Sequence, residues 1–272
     1  MNLKRAITIT MAVALGATMS IPAFATNGYF THGTGTKNKG MAGAGLAMPE
    51  DAISIANNPA AALFGTGQLD AGAALFSPLR SYTSSASLAN GNGGAFTIGP
   101  NDLDSDRNYF VIPHVAYGWK LSDDSAIGVA FYGRGGMNTK WQGGTATFDP
   151  DGPGPAPVTT FDGTYGGGKA GVDFSQAFLD IAYARRVSDQ VVLGASLVAV
   201  VQAFEAYGVG NFAAFTETFA ASGGTVFPSN LSNNGHEFAT GVGAKVGIQA
   251  NLSDTVSFAA MYQTTIRMGE FD

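Results

Sequence analysis

The 272-residue sequence contains no cysteine, few charged residues and, beyond residue 25, no long hydrophobic run. Without cysteine, the chain cannot be held together by disulfide bonds. Lys and Arg number 14 against 20 Asp and Glu, which excludes the basic footprint that a nucleic-acid partner requires. Charged residues make up 12% of the sequence, about half the usual share. A transmembrane helix needs about 20 consecutive apolar residues. The chain beyond residue 25 has no such run. Its low charge and many glycines favour a β-barrel, whose outer wall faces lipid.

Residues 1–25 carry the three parts of a secretory signal peptide. A Lys-Arg pair at positions 4–5 is basic, residues 6–19 are apolar, and residues 23–25 form a small-x-small cleavage site. The apolar stretch is shorter than the roughly 20 residues of a transmembrane helix. We therefore expect this segment to be removed on export and the mature chain to begin at Thr26.

A period-two alternation of apolar and polar residues is the main structural signal in the rest of the chain. It is clearest in 237–252, where even positions are mostly apolar and odd positions are small or polar. Several such segments reach the roughly 9–11 residues that a tilted strand needs to cross a bilayer. The alternative, a soluble β-sandwich, would have shorter strands. The seven predicted strands are 68–77, 109–120, 125–135, 172–186, 190–206, 237–252 and 255–268.

The connections between these strands alternate between tight turns and long loops. In outer-membrane barrels the periplasmic turns are short and the external loops are long. The sequence therefore predicts an all-β fold, an antiparallel transmembrane β-barrel over 68–272, in the outer membrane of a Gram-negative cell. The tight turns are 121–124, 187–189 and 253–254, and the long external loops are 78–108, 136–171 and 207–236.

The polar residues of the sixth strand decide which face of the sheet points inward. An outward Lys245 would lie in lipid, at a cost of about 2–4 kcal/mol near the midplane, so we assign Lys245 and Gln249 to the interior. The rest of that interior is mostly apolar, and it must pack against a plug, an apolar ligand or both. Residues 26–67 lack the alternation and are either that plug or a flexible leader. The predicted lumen residues, which are candidates for ligand binding, are Phe76, Phe110, Ile112, Tyr132, Phe178, Val198, Val200 and Met261.

The third long loop contains a short predicted helix over 211–221. Phe212, Phe215 and Phe219 recur in it at spacings of three and four, which is one apolar stripe of a helix. The stripe either packs on the rim of the barrel or forms a landing site for an apolar ligand, and the sequence leaves both possibilities open.

The order of motifs from the glycine-rich run 40–45 onward resembles the FadL family of outer-membrane long-chain fatty-acid and hydrocarbon transporters. The specific part is Asn58-Pro59-Ala60, set between Glu-Asp-Ala at 50–52 and the alternating strand from Gln68. The resemblance implies a fourteen-stranded barrel closed by an N-terminal hatch, here 26–67, with the Asn-Pro-Ala motif in the hatch. Since single-chain bacterial barrels have even strand numbers of at least 8, we expect this chain to hold the first seven of fourteen strands.

The resemblance also implies a kink in the third strand that opens a side exit toward the membrane. Gly133, Gly135 and Gly136 are the kink candidates, because glycine permits a bend or bulge, although a turn at the barrel rim would explain them too. Family members that bind fatty acids commonly hold the carboxylate with a basic residue near the top of the fifth strand. This sequence has Gln202 and Glu205 there, which favours uncharged hydrocarbons.

The sequence contains no complete catalytic or metal-binding motif. Residues 163–170 resemble a P-loop, but the motif ends in Ala170 and lacks the preceding strand and following helix. His32, His114 and His236 are scattered, so no zinc site is expected. A G-x-S-x-G nucleophile elbow is absent. We therefore expect the protein not to be an enzyme and to need no cofactor.

These observations predict a channel for passive uptake of hydrophobic small molecules through a plugged apolar lumen. Its partners would be the substrate, a long-chain fatty acid or a hydrocarbon, and the lipid of the outer membrane, and the full-length protein would be a monomer. The alternative is a structural or adhesive outer-membrane barrel with no transport role.

Overall fold

The computed structural model describes residues 29–85 and 95–271. The chain divides into two units, Met1–Phe30 and Thr31–Asp272. In the first unit the structure describes Tyr29 and Phe30, whose ring centroids lie 4.8 Å apart. The predicted signal peptide at 1–25 lies outside the described residues, and the fold given below is that of the second unit.

The described part of the second unit begins with short helices and continues as strands. Its first elements are the helix α1 (Thr36–Gly40) and three 3-10 helices at Gly45–Ala47, Ala52–Ala56 and Pro59–Leu63. The connection between β10 and β11, whose bounds follow, contains a fourth 3-10 helix, Gly210–Phe215, and the helix α2 (Glu217–Ala221). The strands are β1 (Leu69–Phe76), β2 (Ser81–Ser84), β3 (Ala95–Ile98), β4 (Asn101–Asp104), β5 (Phe110–Ser122), β6 (Ser125–Trp141), β7 (Thr145–Asp149), β8 (Thr159–Asp162), β9 (Ala170–Ser188), β10 (Val191–Tyr207), β11 (Glu237–Ser253), β12 (Val256–Gln263) and β13 (Arg267–Met268).

Eight of these strands form one antiparallel sheet that curls into half of a barrel, in which β13 pairs with β11 at the end of β12. The seven main strands follow one another in the order β1-β5-β6-β9-β10-β11-β12. They correspond to the seven predicted segments in the predicted order, so the prediction of an antiparallel fold of barrel type is confirmed. The strands from β6 to β11 in this order have 17 to 19 residues each. That length exceeds the roughly 9–11 residues that a tilted strand needs to cross a bilayer.

The last predicted strand, 255–268, is interrupted. β12 ends at Gln263 and β13 resumes at Arg267, and both pair with β11. Between them, the Thr264 N–H donates to the Ala244 carbonyl, and the Thr264 hydroxyl accepts from the Ala244 N–H at 3.0 Å. A side-chain hydroxyl has thus taken the place of a main-chain partner, which is why the regular ladder stops there.

The long connections contain further strands that the alternation did not indicate. β2 pairs with β4, while β7 pairs with both β3 and β8, in two small antiparallel sheets. Each of these strands has four or five residues, which is at the lower limit for recognising a period of two. β6 also continues to Trp141, well beyond its predicted end at residue 135.

The two faces of the large sheet differ in exposure. On the outer face, apolar side chains such as Leu197 and Val242 are 71% and 73% exposed. Soluble monomers rarely expose extended apolar patches, whereas the lipid-facing wall of a barrel does. Within 29–85 and 95–271, no helix has the length and hydropathy of a membrane-spanning helix. The opposite face, called the inner face below, is covered by residues 31–67, the N-terminal segment.

Candidate functional site

The N-terminal segment supplies much of the buried core of the structure. Ile53 and Ile55 are buried on the 3-10 helix Ala52–Ala56, which packs against β5 and β6. The next 3-10 helix, Pro59–Leu63, packs against β9, β10 and β11. Because both helices place apolar side chains on the sheet, the segment is held there by burial of apolar surface.

Asn58 links the local structure of this segment to the sheet. Its side-chain oxygen accepts from the Ala60 N–H at 3.1 Å and so caps the 3-10 helix that begins at Pro59. Asparagine is a favoured cap and proline a favoured first residue, since proline has no N–H to satisfy. The side-chain amide of Asn58 donates to the Ile248 carbonyl of β11 at 3.2 Å. One side chain therefore starts the helix and anchors it.

Two facing glycines make room for the Asn-Pro-Ala motif. Gly194 of β10 and Gly247 of β11 are direct partners in the sheet. A Cβ atom at Gly194 would lie 2.2 Å from the Ala60 nitrogen, and one at Gly247 would lie 2.0 Å from the Asn58 side-chain oxygen. We call this pair the glycine recess. Any side chain in the recess would displace the motif from the inner face.

A buried ionic cluster lies beside the recess on the same face. It consists of Tyr132 on β6, Asp180 on β9 and Lys245 on β11, with the two charged side chains 0% exposed. The Lys245 ammonium donates to the Asp180 carboxylate at 2.6 Å and to the Tyr132 hydroxyl at 3.1 Å. The Tyr132 hydroxyl donates to the same carboxylate oxygen at 3.2 Å. Burial of a charge is tolerated when it is paired and hydrogen-bonded, as it is here.

Strand β11 holds the N-terminal segment at three places. Lys245 donates its third hydrogen bond to the Ala56 carbonyl at 2.9 Å. Gln249 donates to the Ala47 carbonyl at 2.8 Å, and the Ile248 carbonyl accepts from Asn58 as described. The two polar residues that were assigned to the interior from the sequence therefore bind the main chain of this segment.

The register of the sheet places all eight predicted lumen residues on the inner face, because directly paired residues point to the same side. Tyr132 and Phe178 lie together there, with stacked rings 5.5 Å apart. Phe76 and Phe110 form a second group, with ring centroids 6.4 Å apart, at the far end of β1 and β5. Tyr132, Phe178, Val198 and Val200 are buried, Phe110, Ile112 and Met261 are half-buried, and Phe76 is exposed.

The third long strand, β6, carries a β-bulge between the glycines singled out from the sequence. The pairing with β9 shifts between Gly133 and Gly135, which leaves Arg134 as the extra residue, whereas Gly136 pairs regularly. The ladder between β5 and β6 ends at the His114–Tyr132 pair. Beyond it, β5 pairs with β1 and β6 pairs with β9.

The two strands therefore no longer pair with each other, and we call the region between 110–113 and 133–138 the β5–β6 gap. Pro113 lies on the β5 side of this gap and has no N–H to donate to β6. The Thr31 N–H, at the start of the N-terminal segment, donates to the Arg134 carbonyl at 3.1 Å. The start of the N-terminal segment thus provides the hydrogen-bond donor that a neighbouring strand would otherwise provide to this edge of β6.

The predicted helix of the third long loop is two short helices. Thr216 adopts an extended conformation and caps α2, so it separates α2 from the preceding 3-10 helix. Phe219 packs on Phe227, at 4.6 Å between ring centroids. Phe212 packs on Tyr165 at 5.4 Å, and Phe215 is 83% exposed. The three phenylalanines therefore do not form one stripe, because Thr216 ends the helical repeat between the second and the third.

Several inner-face residues were not singled out from the sequence. Asp180 occupies an inward position of its alternating segment, and the register that placed Lys245 inward would have found it. Gln176 was also missed. It is the direct partner of Gln202, which the sequence did indicate, and its amide donates to the Gln202 oxygen at 2.9 Å. The glycine recess required knowledge of the strand pairing, which glycines in an alternating segment do not reveal.

The remaining motifs are not brought together into a site. Residues 163–170 lie in the connection between β8 and β9. His114 lies 3.4 Å from Asp70, and His236 lies near two carboxylates on the outer side of the sheet, while His32 is exposed. Within the described residues, no group of three potential ligands could hold a metal ion.

Comparison with known proteins relates the chain to transporters through its fold alone. No protein-family model and no curated protein sequence matches it. A Pseudomonas aeruginosa FadL homologue is similar in structure with a TM-score of 0.55 and 18% identity, over 88% of this chain and 53% of that one. The Pseudomonas putida toluene transporter TodX is similar with a TM-score of 0.52 and 17% identity, over 89% of this chain and 57% of that one. The chain thus shares its fold with these two proteins and spans about half of the length of each.

Proposed function

We propose that this chain forms part of an outer-membrane channel for passive uptake of hydrophobic small molecules, with the N-terminal segment as its hatch. The observation that carries the proposal is the seating of Asn58-Pro59-Ala60 in the glycine recess. A segment held on the inner wall of a curled sheet by few polar contacts can close a lumen and can also be released. The apolar outer face supports contact with membrane lipid, and the likeness to a FadL homologue and a toluene transporter supports a transport role.

Release of the hatch breaks few hydrogen bonds and leaves no buried charge alone. The bonds are those that Asn58, Lys245 and Gln249 make between β11 and the segment and the one from the Thr31 N–H to the Arg134 carbonyl. Gly67, which adjoins β1, also donates to the Gly118 carbonyl. Each contributes about 0.5–1.5 kcal/mol, and somewhat more where the donor is charged. After release, Lys245 keeps Asp180 and Tyr132 as partners. The penalty of about 3–5 kcal/mol for breaking a buried ion pair is therefore avoided.

The apolar contacts between the hatch and the sheet explain how an apolar substrate could promote release of the hatch. Ile53 and Ile55 are each 1% exposed, and burial of such side chains contributes about 1.5–3 kcal/mol each. Released into a watery lumen, the segment would lose this contribution. An apolar ligand on the inner face would contact Phe178 and Val200. It would thereby replace the apolar contacts that the sheet loses when the segment is released. A gradient of such a ligand suffices to drive transport, and no cofactor is required.

The proposed route begins at the external loops and ends at the β5–β6 gap. Phe212 and Phe215, together with Tyr165, offer an exposed aromatic surface to an arriving ligand. The ligand then enters the space along the inner face, and it leaves sideways through the gap that begins at the bulge of Arg134. A bulge bends the strand that carries it, which supports an exit at this point of the wall.

We propose uncharged hydrocarbons as the preferred substrates. Near the top of the fifth long strand the inner face presents the neutral pair of Gln176 and Gln202. The buried ammonium of Lys245 is committed to Asp180 at 2.6 Å. A fatty-acid carboxylate would have to compete with the Asp180 carboxylate for an ammonium that is not exposed to solvent, which is unfavourable.

Uptake by cells that produce the full-length protein tests the proposal. We expect labelled toluene to enter faster than in cells without the gene, and labelled oleate to show a smaller gain. No gain for either compound would remove the transport function and leave a structural or adhesive barrel. A mature chain that is folded and monomeric in buffer without detergent would contradict the membrane location.

A further inference from the structure

The β5–β6 gap leaves one edge of β6 without a neighbouring strand, and single groups from elsewhere take the strand's place. The Arg134 carbonyl accepts from the Thr31 N–H of the N-terminal segment at 3.1 Å. The Lys140 carbonyl accepts from the Asp106 N–H at 2.9 Å, and the Lys140 N–H donates to the Ser105 hydroxyl at 3.1 Å. Since unpaired strand edges require partners, these contacts satisfy the two ends of the open edge.

Between these two ends, a side chain crosses the gap. Arg80, in the connection that follows β1, donates one guanidinium N–H₂ group to the Asn138 carbonyl of β6. The other N–H₂ group donates to the Arg107 carbonyl, three residues before β5 begins. The guanidinium carbon also lies 5.7 Å from the ring centroid of Phe110, the first residue of β5. One planar cation therefore joins both sides of the gap and covers an aromatic ring at its margin.

We propose that Arg80 is the bolt of the lateral exit, a side chain that closes the β5–β6 gap and swings away to let a substrate pass. The inference rests on the proposed function and adds the residue that controls the exit. Regular strand pairing would need several main-chain hydrogen bonds to break in concert. A side-chain bridge needs only one residue to change rotamer, while β5 and β6 keep their pairing with β1 and β9.

The chemistry of the bridge also provides a way for the substrate to open it. An apolar molecule that reaches Phe110 competes with the guanidinium for the face of the same ring. Burial lowers the pKa of Arg80 from its ordinary value, yet a guanidinium stays protonated at physiological pH. The displaced Arg80 head group can turn toward solvent at the external end of the strands. A lysine has no planar fork to span both carbonyls, so the bridge is specific to arginine.

The first test compares toluene uptake by Arg80→Met, Arg80→Lys and the wild-type protein in cells. Hydrogen bonds to charged groups contribute more than neutral ones, and losing one or two kcal/mol of closing free energy corresponds to about 5–30-fold in the open population. We expect uptake to rise by up to that factor in Arg80→Met and by less in Arg80→Lys. Arg186→Met, which removes a guanidinium near Asp124 at the opposite end of the strands, is the matched control and should leave uptake unchanged. Wild-type uptake in Arg80→Met would overturn the proposal.

The second test closes the exit covalently. A Cβ atom at Gly133 would lie 3.2 Å from the Ile112 side chain, so Ile112→Cys/Gly133→Cys brings two sulfurs within reach of a disulfide in a chain that has no other cysteine. Oxidation should stop uptake in the Arg80→Met background and reduction should restore it. Continued uptake by the oxidised protein would place the exit elsewhere and overturn the proposal.

A third measurement separates failure of the bolt from failure of transport. Asn138→Cys places a thiol at a buried position of the gap, on the residue whose carbonyl accepts from Arg80, and a membrane-soluble maleimide reports how often the gap opens. Faster labelling in Arg80→Met than with Arg80 present supports the bolt, even if no substrate is transported. Equal labelling of properly inserted protein overturns it.

Discussion

Replacement of Gly194 by alanine is the sharpest test of how the N-terminal segment is held. The added Cβ would lie 2.2 Å from the Ala60 nitrogen, 2.4 Å from the Pro59 carbonyl carbon and 2.6 Å from the Ala60 Cα. All three atoms belong to the main chain and cannot rotate away. Ordinary contact begins at 3.4 Å, so the motif must move by about 1 Å, an overpacking that typically costs about 1–3 kcal/mol.

The strand itself should tolerate this change, because alanine is no worse than glycine in a strand. The cost therefore falls on the segment, whose Asn58–Ile248 hydrogen bond of 3.2 Å would be lost after such a shift. A change of about 1–3 kcal/mol corresponds to a 5- to 150-fold rise in the released population. We expect Gly194→Ala to raise toluene uptake and to speed amide hydrogen exchange over 52–64 by up to that factor.

The matched control is Gly210→Ala, because a Cβ at Gly210 meets nothing within 4 Å. It should leave exchange and uptake at the wild-type level. If Gly194→Ala also kept wild-type exchange over 52–64 in a folded protein, the motif would not be seated in the recess and the hatch proposal would lose its main support. Faster exchange with unchanged uptake would separate seating of the segment from control of transport.

Three further substitutions test other contacts. Asn58→Ala removes the cap and the donor to Ile248, and we expect the segment to lose about 1–2 kcal/mol of its attachment, seen as faster proteolysis there; wild-type proteolysis would contradict this. Lys245→Met leaves Asp180 buried without its cation and should lower the free energy of unfolding by about 3–5 kcal/mol, whereas adding Asp180→Leu should recover most of that loss in a detergent unfolding titration. Phe215→Ala should lower the initial rate of toluene uptake without changing stability, and an unchanged rate would argue against a landing site.

The order and pairing of the long strands could be predicted from the sequence because two constraints act together. A wall that faces lipid requires apolar residues at every second position, and segments such as 237–252 have this pattern. The lysine at position 245 then decides which side is the interior, since a charge in lipid is costly. The tight turns leave neighbouring segments no choice but to pair in antiparallel order.

The features that escaped prediction depend on contacts between residues distant in sequence. The glycines at 133 and 135 indicated where a bulge was possible but left a turn at the barrel rim open, and only the pairing with β9 places the bulge at Arg134. The glycine recess exists only once Gly194 and Gly247 are paired and Asn58 lies above them. The roles of the lumen, kink and loop residues in transport remain predictions.

The ion pair between Lys245 and Asp180 has a consequence for how the sheet assembles. Strands rich in glycine and alanine specify their alignment poorly, and sliding β11 by two positions along β10 would keep every side chain on its proper face. Such a slide displaces the lysine by about 7 Å and takes its ammonium away from the buried Asp180 carboxylate. This electrostatic contact and the glycine recess together distinguish the correct alignment from a neighbouring one that hydrophobicity alone would accept.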